Sequence, residues 1–338
     1  MAWIERHWER VTPVSAALYP LSLLFGLVVL ARRGAYRSGV LRAARLSAPV
    51  IVVGNITVGG AGKTPLVAWV AGFLRQHGFT PGIVSRGYGG TRAEPQRVVP
   101  DSDAHACGDE PVLLARRCAC EVWTGADRAA AVRALLAAHP ACNVVVSDDG
   151  LQHYALARNT ELCVVDAVRG LGNGWLLPAG PLREPASRLD ACDAVVLNDE
   201  GAQAAPGLPE SAPGGVPRFA MRLEGDEFRN LLNPEHSARV GHFRGKRVHA
   251  VAGIGHPQRF FRHLHALGLD FTAHAFPDHH RYTSSELAFS GADAVVMTEK
   301  DAVKCMRFNA ETHWMLAVDA VPDPRLGDLI LRKLEARP

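Results

Sequence analysis

A strong charge of one sign is the first thing the sequence lacks. Its 338 residues carry 37 Lys+Arg against 34 Asp+Glu, a formal net charge of +3, too small for nucleic-acid binding through bulk charge. Paired cysteines are missing too. Cys107, Cys118, Cys120, Cys142, Cys163, Cys192 and Cys305 are odd in number and show no C-x-x-C spacing, so neither a disulfide framework nor a zinc site is indicated, and a reducing compartment fits best. The 15 histidines contain no H-E-x-x-H, and there is no internal repeat. Hydrophobic residues at 48% and charged residues at 21% argue against disorder and against a many-helix transporter. The length suits about two domains of ~100–200 residues each.

One feature departs from that ordinary composition. Val11 to Ala31 contains no charged residue, close to the ~20 residues that cross a bilayer as a helix. Arg32, Arg33, Arg37, Arg42 and Arg45 follow it, which would keep the main body cytoplasmic and set arginines against anionic headgroups. No A-x-A cleavage pattern follows, so the run is not a removed leader. We read it as a membrane-associating helix, embedded or lying in the interface; a full span and a buried core helix are the alternatives.

Beyond the anchor, short β-branched runs are expected as strands at Val50–Gly54, Gly82–Ser85, Cys120–Thr124, Asn143–Ser147, Leu162–Val165, Ala194–Leu197, Val248–Ala252, Ala294–Thr298 and Trp314–Val318. A helix is expected from Thr64 to His77, where Leu66, Val67, Val70, Ala71 and Leu74 recur on one face and Gly78 follows as a stop. Alternation of this kind specifies a doubly wound α/β architecture with parallel strands. The Pro/Gly/Ala-rich stretch 201–217 reads as a surface loop.

The first strand runs into Gly54-Asn-Ile-Thr57-Val58-Gly59-Gly60-Ala61-Gly62-Lys63-Thr64, a phosphate-binding loop in its strand–loop–helix context. Backbone N–H groups from 57 to 64 would cradle phosphate, Lys63 would neutralise it, and the Thr64 hydroxyl would ligate Mg2+. Thr57 stands where the general pattern has glycine, so the loop is expected to approach at a different angle. A second apolar run ends in Ser147-Asp148-Asp149-Gly150-Leu151-Gln152-His153, which puts two carboxylates at the same sheet edge as the loop and suits them to hold the metal. Taken alone, His153 reads as structural. Asp109 and Glu110 of Gly108-Asp-Glu-Pro111 fit a helix N-terminal cap as well as a catalytic role. Asp278-His279-His280 is either a carboxylate–imidazole pair or a solvated loop. Context fixes no role for Arg183-Glu184 or for Thr298-Glu299-Lys300-Asp301.

These strings, in order, carry a resemblance: VGNITVGGAGKTP (53–65), SRGYGG (85–90), GDEP (108–111), DDGLQH (148–153), PAGPLREP (178–185), AGIGHPQRFF (252–261), FPDHHRY (276–282) and TEKDAVK (298–304). Together they resemble the tetraacyldisaccharide 4'-kinases of lipid A synthesis over nearly the whole chain. The resemblance implies a P-loop NTPase-like sheet with a second, smaller α/β lobe. Three parts are expected: a membrane-associating segment (1–47), a nucleotide-binding core (48–170) and a second lobe (171–338) whose last strand or helix can return to the core. It implies ATP and Mg2+, a tetraacylated glucosamine disaccharide 1-phosphate as lipid substrate, and the cytoplasmic face of the bacterial inner membrane. A membrane surface is then the partner, with no nucleic acid and no obligate protein. It further implies Lys63, Thr64, Asp148 and Asp149 at the nucleotide and metal, Asp109 as catalytic base paired with His279, and Gln152, His153, Arg183 and Glu184 near nucleotide or sugar. Asp109 and His279 lie on opposite sides of the expected division, so lobe closure on nucleotide binding is expected to bring them together. The alternative is a membrane-associated nucleotide switch that hydrolyses nucleotide without a lipid substrate.

Overall fold

The computed structural model describes residues 2–88, 90, 91, 94–199 and 215–336. Val50–Gly54 forms the central strand β1 because its residues are all shielded: Ile51 and Val53 face one apolar core, Val50 and Val52 the other. The strands that follow are β2 (Pro81–Ser85), β3 (Gln96–Val98), β4 (Glu121–Thr124), β5 (Val144–Asp148), β6 (Thr160–Asp166), β7 (Ala194–Asn198) and β8 (Arg218–Glu224). A second group comprises β9 (Phe228–Asn230), β10 (Ser237–Ala238), β11 (Val248–Ala252), β12 (Thr272–Ala275), β13 (Ala294–Thr298) and β14 (His313–Leu316), and β15 (Asp319–Pro322) comes last. The helices are α1 (Ala2–Glu5), α2 (Pro13–Arg37), α3 (Lys63–Gln76), α4 (Ala104–Cys107), α5 (Asp109–Arg117), α6 (Arg128–Ala138), α7 (Pro257–Ala266), α8 (Glu299–Cys305) and α9 (Arg325–Glu335).

The first sheet has the order β15-β8-β7-β6-β1-β5-β2-β4-β3 and is parallel except for its two edge strands. Residues of α3, α5 and α9 pack into the core on one face, and those of α6 into the core on the other. The second sheet, β10-β9-β14-β13-β11-β12, is parallel from β14 to β12 and lies between α7 and α8. A doubly wound parallel sheet with a smaller α/β partner is the architecture expected from the alternation.

Chain order and sheet order part company in one place. The first sheet continues through β7 and β8, and β15 returns to pair with β8, so the two sheets divide the chain between Glu224 and Phe228, not at residue 170. The strands left out of the pattern, β3, β8, β9, β10, β12 and β15, are edge strands or their neighbours. Half-exposed strands such as β8 and β12 carry mixed polarity and lack the continuous apolar run that marks a strand buried on both faces. Of the loop expected at 201–217, residues 201–214 lie outside the described residues.

Helix α2 inverts the usual pattern. Thr12 caps it reciprocally with Ser15, and its buried residues are the small Ser15, Ser22 and Gly26, while Leu21, Leu23, Leu24, Leu27, Val28 and Leu30 are exposed. That distribution excludes the buried core helix. Ser22 fixes the helix to the 173–182 turn: its Oγ donates to the Leu176 carbonyl at 2.8 Å and accepts from the Ala179 N–H at 3.0 Å. Ser22→Ala would leave the Ala179 N–H without its acceptor, while the Leu176 carbonyl keeps the Gly180 N–H at 2.9 Å, a loss of about 1–3 kcal/mol in helix docking. Amide exchange in α2 and the 173–182 turn should accelerate together, with the sheet cores unaffected.

Candidate active site

The site forms where β1 and β5, neighbours in register with Val53 opposite Asp148, both end. Parallel strands in a doubly wound sheet open such a crevice at their carboxyl ends. The loop after β1 closes onto α3 through Gly62 at φ 88°, a left-handed conformation where a Cβ would also collide with the Asn198 amide. Thr57 needs no glycine because Ile56–Val58 runs beside Pro181–Arg183: Val58 N–H donates to the Pro181 carbonyl at 2.9 Å and Arg183 N–H to that of Ile56 at 2.7 Å.

Lys63, at the first position of α3, donates to Asn55 Oδ1 at 3.2 Å and lies 3.4 Å from Asp149. Asp149, held at φ 47°, also pairs with Arg183 at 3.0 Å, and its backbone carbonyl accepts from Arg128 at 2.9 Å. Burial would raise the Asp149 pKa, but Lys63 and Arg183 outweigh it and hold the carboxyl below its usual range. Asp148 goes the other way. At 1% exposure, burial first and then the charges of Glu110 and Asp149 push it up to about 7. Its Oδ2 accepts from Ser85 at 3.3 Å, and its Oδ1 has no hydrogen-bond partner among the described residues.

Asp109 opens α5 and is 5% exposed. Its Oδ2 lies 3.1 Å from His279 Nδ1, 3.8 Å from Lys304 Nζ and 3.9 Å from Lys300 Nζ, while Oδ1 accepts from the Glu110 N–H at 3.0 Å. Burial raises the Asp109 pKa, yet the His279 hydrogen bond and the two lysines bring it down to about 2. A carboxylate can only accept, so His279 donates through Nδ1. The two residues are already in contact, and no lobe closure is needed to bring them together.

The remaining expected residues divide. Arg183 is in the site. Gln152 donates to the Asn55 carbonyl at 3.0 Å and to Glu184 at 2.9 Å, and Glu184, 1% exposed, also binds Tyr154 and faces Arg188 at 3.6 Å; both stand behind the loop as support. His153 is half-buried, and burial with Arg128 nearby lowers its pKa to about 4, so it is neutral at pH 7. The motifs do not mark Asn55, Arg128, Asn198, Arg259, Lys300 or Lys304 as site residues. Asn198 donates to the Ala61 carbonyl at 2.9 Å and accepts from Arg259 at 2.6 Å, a bridge from α7 to the loop. Asn55 and Arg259 lie within the quoted strings 53–65 and 252–261, and the i, i+4 spacing of Lys300 and Lys304 in TEKDAVK puts both lysines on one helix face.

The family model described as tetraacyldisaccharide-1-P 4'-kinase matches residues 14–335. The chain belongs to that kinase family. A tetraacyldisaccharide 4'-kinase of Azoarcus sp. (strain BH72) is 51% identical over 329 residues, covering 97% of this chain and 94% of that protein. One from Methylobacillus flagellatus is 47% identical over 332 residues, covering 98% and 96%. The crystal structure of LpxK from Aquifex aeolicus in complex with ATP superposes with a TM-score of 0.79 at 28% identity, covering 95% of this chain and 99% of that one. The family thus spans both sheets, and with them both halves of the site.

The two halves also meet at Gly255, where a Cβ would lie 2.9 Å from Gly60 N and 3.4 Å from Gly59 Cα. The obstacle is backbone, so no rotamer relieves it. Gly255→Ala should weaken ATP binding at least about tenfold in calorimetric titration, as misplacement by a few tenths of an ångström to 1 Å does in preorganised sites, while the thermal midpoint stays within a few degrees.

Proposed function

We propose that the chain transfers the γ-phosphate of ATP to the 4'-hydroxyl of tetraacyldisaccharide 1-phosphate, giving the 1,4'-bisphosphate in lipid A synthesis. The observation that carries this reading is the Asp109–His279 pair, a buried, ionised carboxylate oriented by an imidazole on the same crevice as the phosphate loop. Glu110, the next residue, is near enough to Asp148 to raise its pKa, so the helix carrying Asp109 reaches the metal-side carboxylates. A hydrolytic switch would aim such a base at water; membership of the 4'-kinase family favours a sugar hydroxyl as the nucleophile.

In this reading Lys63 exchanges Asn55 and Asp149 for the β- and γ-phosphate oxygens, and Thr57 to Gly62 supply N–H groups around them. Thr64, Asp148 and Asp149 suit Mg2+: the unpartnered Asp148 Oδ1 is an available hard oxygen donor. No group of three or more His, Cys, Asp or Glu side chains suited to a metal occurs among the described residues, which fits an ion held largely by phosphate and water. When bound, Mg2+ neutralises charge on the phosphate oxygens. Asp109 accepts the proton of the 4'-hydroxyl as its oxygen bonds to the γ-phosphorus and the bond to the β–γ bridging oxygen breaks, releasing ADP. A pKa of about 2 makes Asp109 a weak base. A loose phosphoryl-transfer transition state demands alignment more than basicity. Gln152 and Glu184 brace the loop, and Arg183 holds Asp149 in place.

The exposed leucines of α2 and the arginines after it support a membrane-surface location on the cytoplasmic face of the inner membrane, where the acyl chains of the substrate remain. The helix is apolar and long enough to cross a bilayer by length and composition, but its small-residue face is docked on the protein along Ser15, Ser22 and Gly26, which favours insertion alongside the body.

Labelled γ-phosphate should appear on tetraacyldisaccharide 1-phosphate in detergent micelles. Asp109→Asn should lower kcat by about 10²–10⁴ and Lys63→Ala by about 10²–10³. Label released only as inorganic phosphate would refute the kinase reading. Leu23→Asp combined with Leu27→Asp should abolish co-sedimentation with anionic vesicles while thermal unfolding stays unchanged, because both side chains are already exposed; retained binding would refute the α2 reading.

A further inference from the structure

Helices α5 and α8, one from each sheet's layer, pack together with charges paired across the seam. Arg117 at the end of α5 donates to Glu299 at the start of α8 at 2.8 Å. At the opposite end of α5, Lys300, the second residue of α8, donates to Glu110 at 3.1 Å, and Lys300 and Lys304 approach Asp109. The acids early in α5 suit that helix's dipole, as Lys304 in the last turn of α8 suits its own.

Lys304 does more than neutralise a neighbour. Its ammonium, 10% exposed, donates to Asp301 at 2.8 Å and to the Gly253 carbonyl at 3.0 Å, with Asp109 at ion-pair distance for its third N–H. The fully buried Asp301 accepts from Gly253 N–H at 3.0 Å and from the Thr298 hydroxyl at 2.7 Å, so α8 grips Gly253 by both backbone groups. Two residues on, Gly255 abuts Gly59 and Gly60 of the phosphate loop. One side chain therefore touches the acceptor's base and the segment that backs the donor's phosphates.

We propose that Lys304, with Lys300 beside it, is a positioning residue of the phosphoryl transfer: it holds the Asp109 carboxylate against His279 and, through Gly253, keeps the phosphate loop in register with that base. The inference rests on the reading of Asp109 as the base. A lysine that only compensated the buried Asp301 would act independently of Asp109, and the two roles separate experimentally. Around Asp109 the titratable and charged groups are His279 and Asp278 from the segment after β12, Lys300, Lys304 and Asp301 from α8, Glu110 from its own helix, Tyr88 packed on His279, and Tyr282, whose ring lies 5.6 Å from Lys304. Removing one lysine withdraws a cation that favours the ionised carboxylate, so the Asp109 pKa rises.

The test measures lipid phosphorylation by the full chain with Lys304→Met, alone and combined with Asp109→Asn, across pH. The expected result is a fall in kcat of about 10–100-fold, a rise of about one pH unit in the acid limb of kcat/KM, and no further fall in kcat when Lys304→Met is added to Asp109→Asn. The KM for ATP should rise in both backgrounds through Gly253, and Lys304→Arg should restore the native pH profile. An equal loss of kcat in both backgrounds, or an unchanged rate and profile, would overturn the proposal. If Lys304→Met does not fold, Lys300→Met, whose partners are Glu110, Asp278 and Asp109, carries the same test of the Asp109 arm, with the same outcomes expected and excluded. A native chain that phosphorylates no lipid would overturn the kinase reading and this inference with it; an active native chain indifferent to Lys304→Met would overturn this inference alone.

Discussion

A carboxylate buried as deeply as Asp109 stays ionised only if cations are brought to it, and the cations come from the far side of the molecule. The cations Lys300 and Lys304, and the hydrogen-bond donor His279, all belong to the second sheet and its connections, whereas Asp109 belongs to the helix between β3 and β4 of the first. Desolvating an isolated charge costs several kcal/mol, so the site and the docking of the two sheets are one energetic problem. Arg117–Glu299 closes the other end of the same seam, with the Arg117 guanidinium also reaching the Val318 carbonyl and the Asp319 carboxylate. The geometry around Asp109 is thereby fixed by the same ion pairs that hold the halves together.

The phosphate loop is constrained from three directions by different chemistry. Its ends are set by β1 and α3, its outer side by the ladder between Ile56–Val58 and Pro181–Arg183, and its crest by Asn198 and Gly255. Asn198 is itself held by Arg259, which also faces Asp166 at 3.4 Å, so the ends of β6 and β7 and the start of α7 converge on the Ala61 carbonyl. Such redundancy suits a reaction whose catalysis is alignment and charge neutralisation.

Helix α2 obeys a different solvent. A water-soluble helix buries its leucines; this one buries serine and glycine and turns its leucines outward. Small residues permit close approach of the backbone to the 173–182 turn, and the exposed apolar face is stable only where another apolar phase meets it.

By itself the sequence determined the strands that are buried on both faces, because continuous β-branched runs have no other stable setting, and it determined the phosphate loop and the paired aspartates, because strand, glycines, lysine and carboxylates are contiguous in the chain. It also marked α2, whose lack of charge needs no partner to be recognised. Only the tertiary structure decided that β7 joins the first sheet, since a buried apolar run does not say which sheet takes it, and only it revealed β8 and β15, since half-exposed and edge strands carry no distinctive pattern. It alone turned Asp109 from a plausible helix cap into a caged anion, assigned Lys300 and Lys304 to that cage, and set Gln152 and Glu184 behind the loop. Contacts between residues about 170 to 195 positions apart depend on how two sheets dock, and docking is governed by shape and compensating charge summed over many residues, which no local stretch of sequence contains.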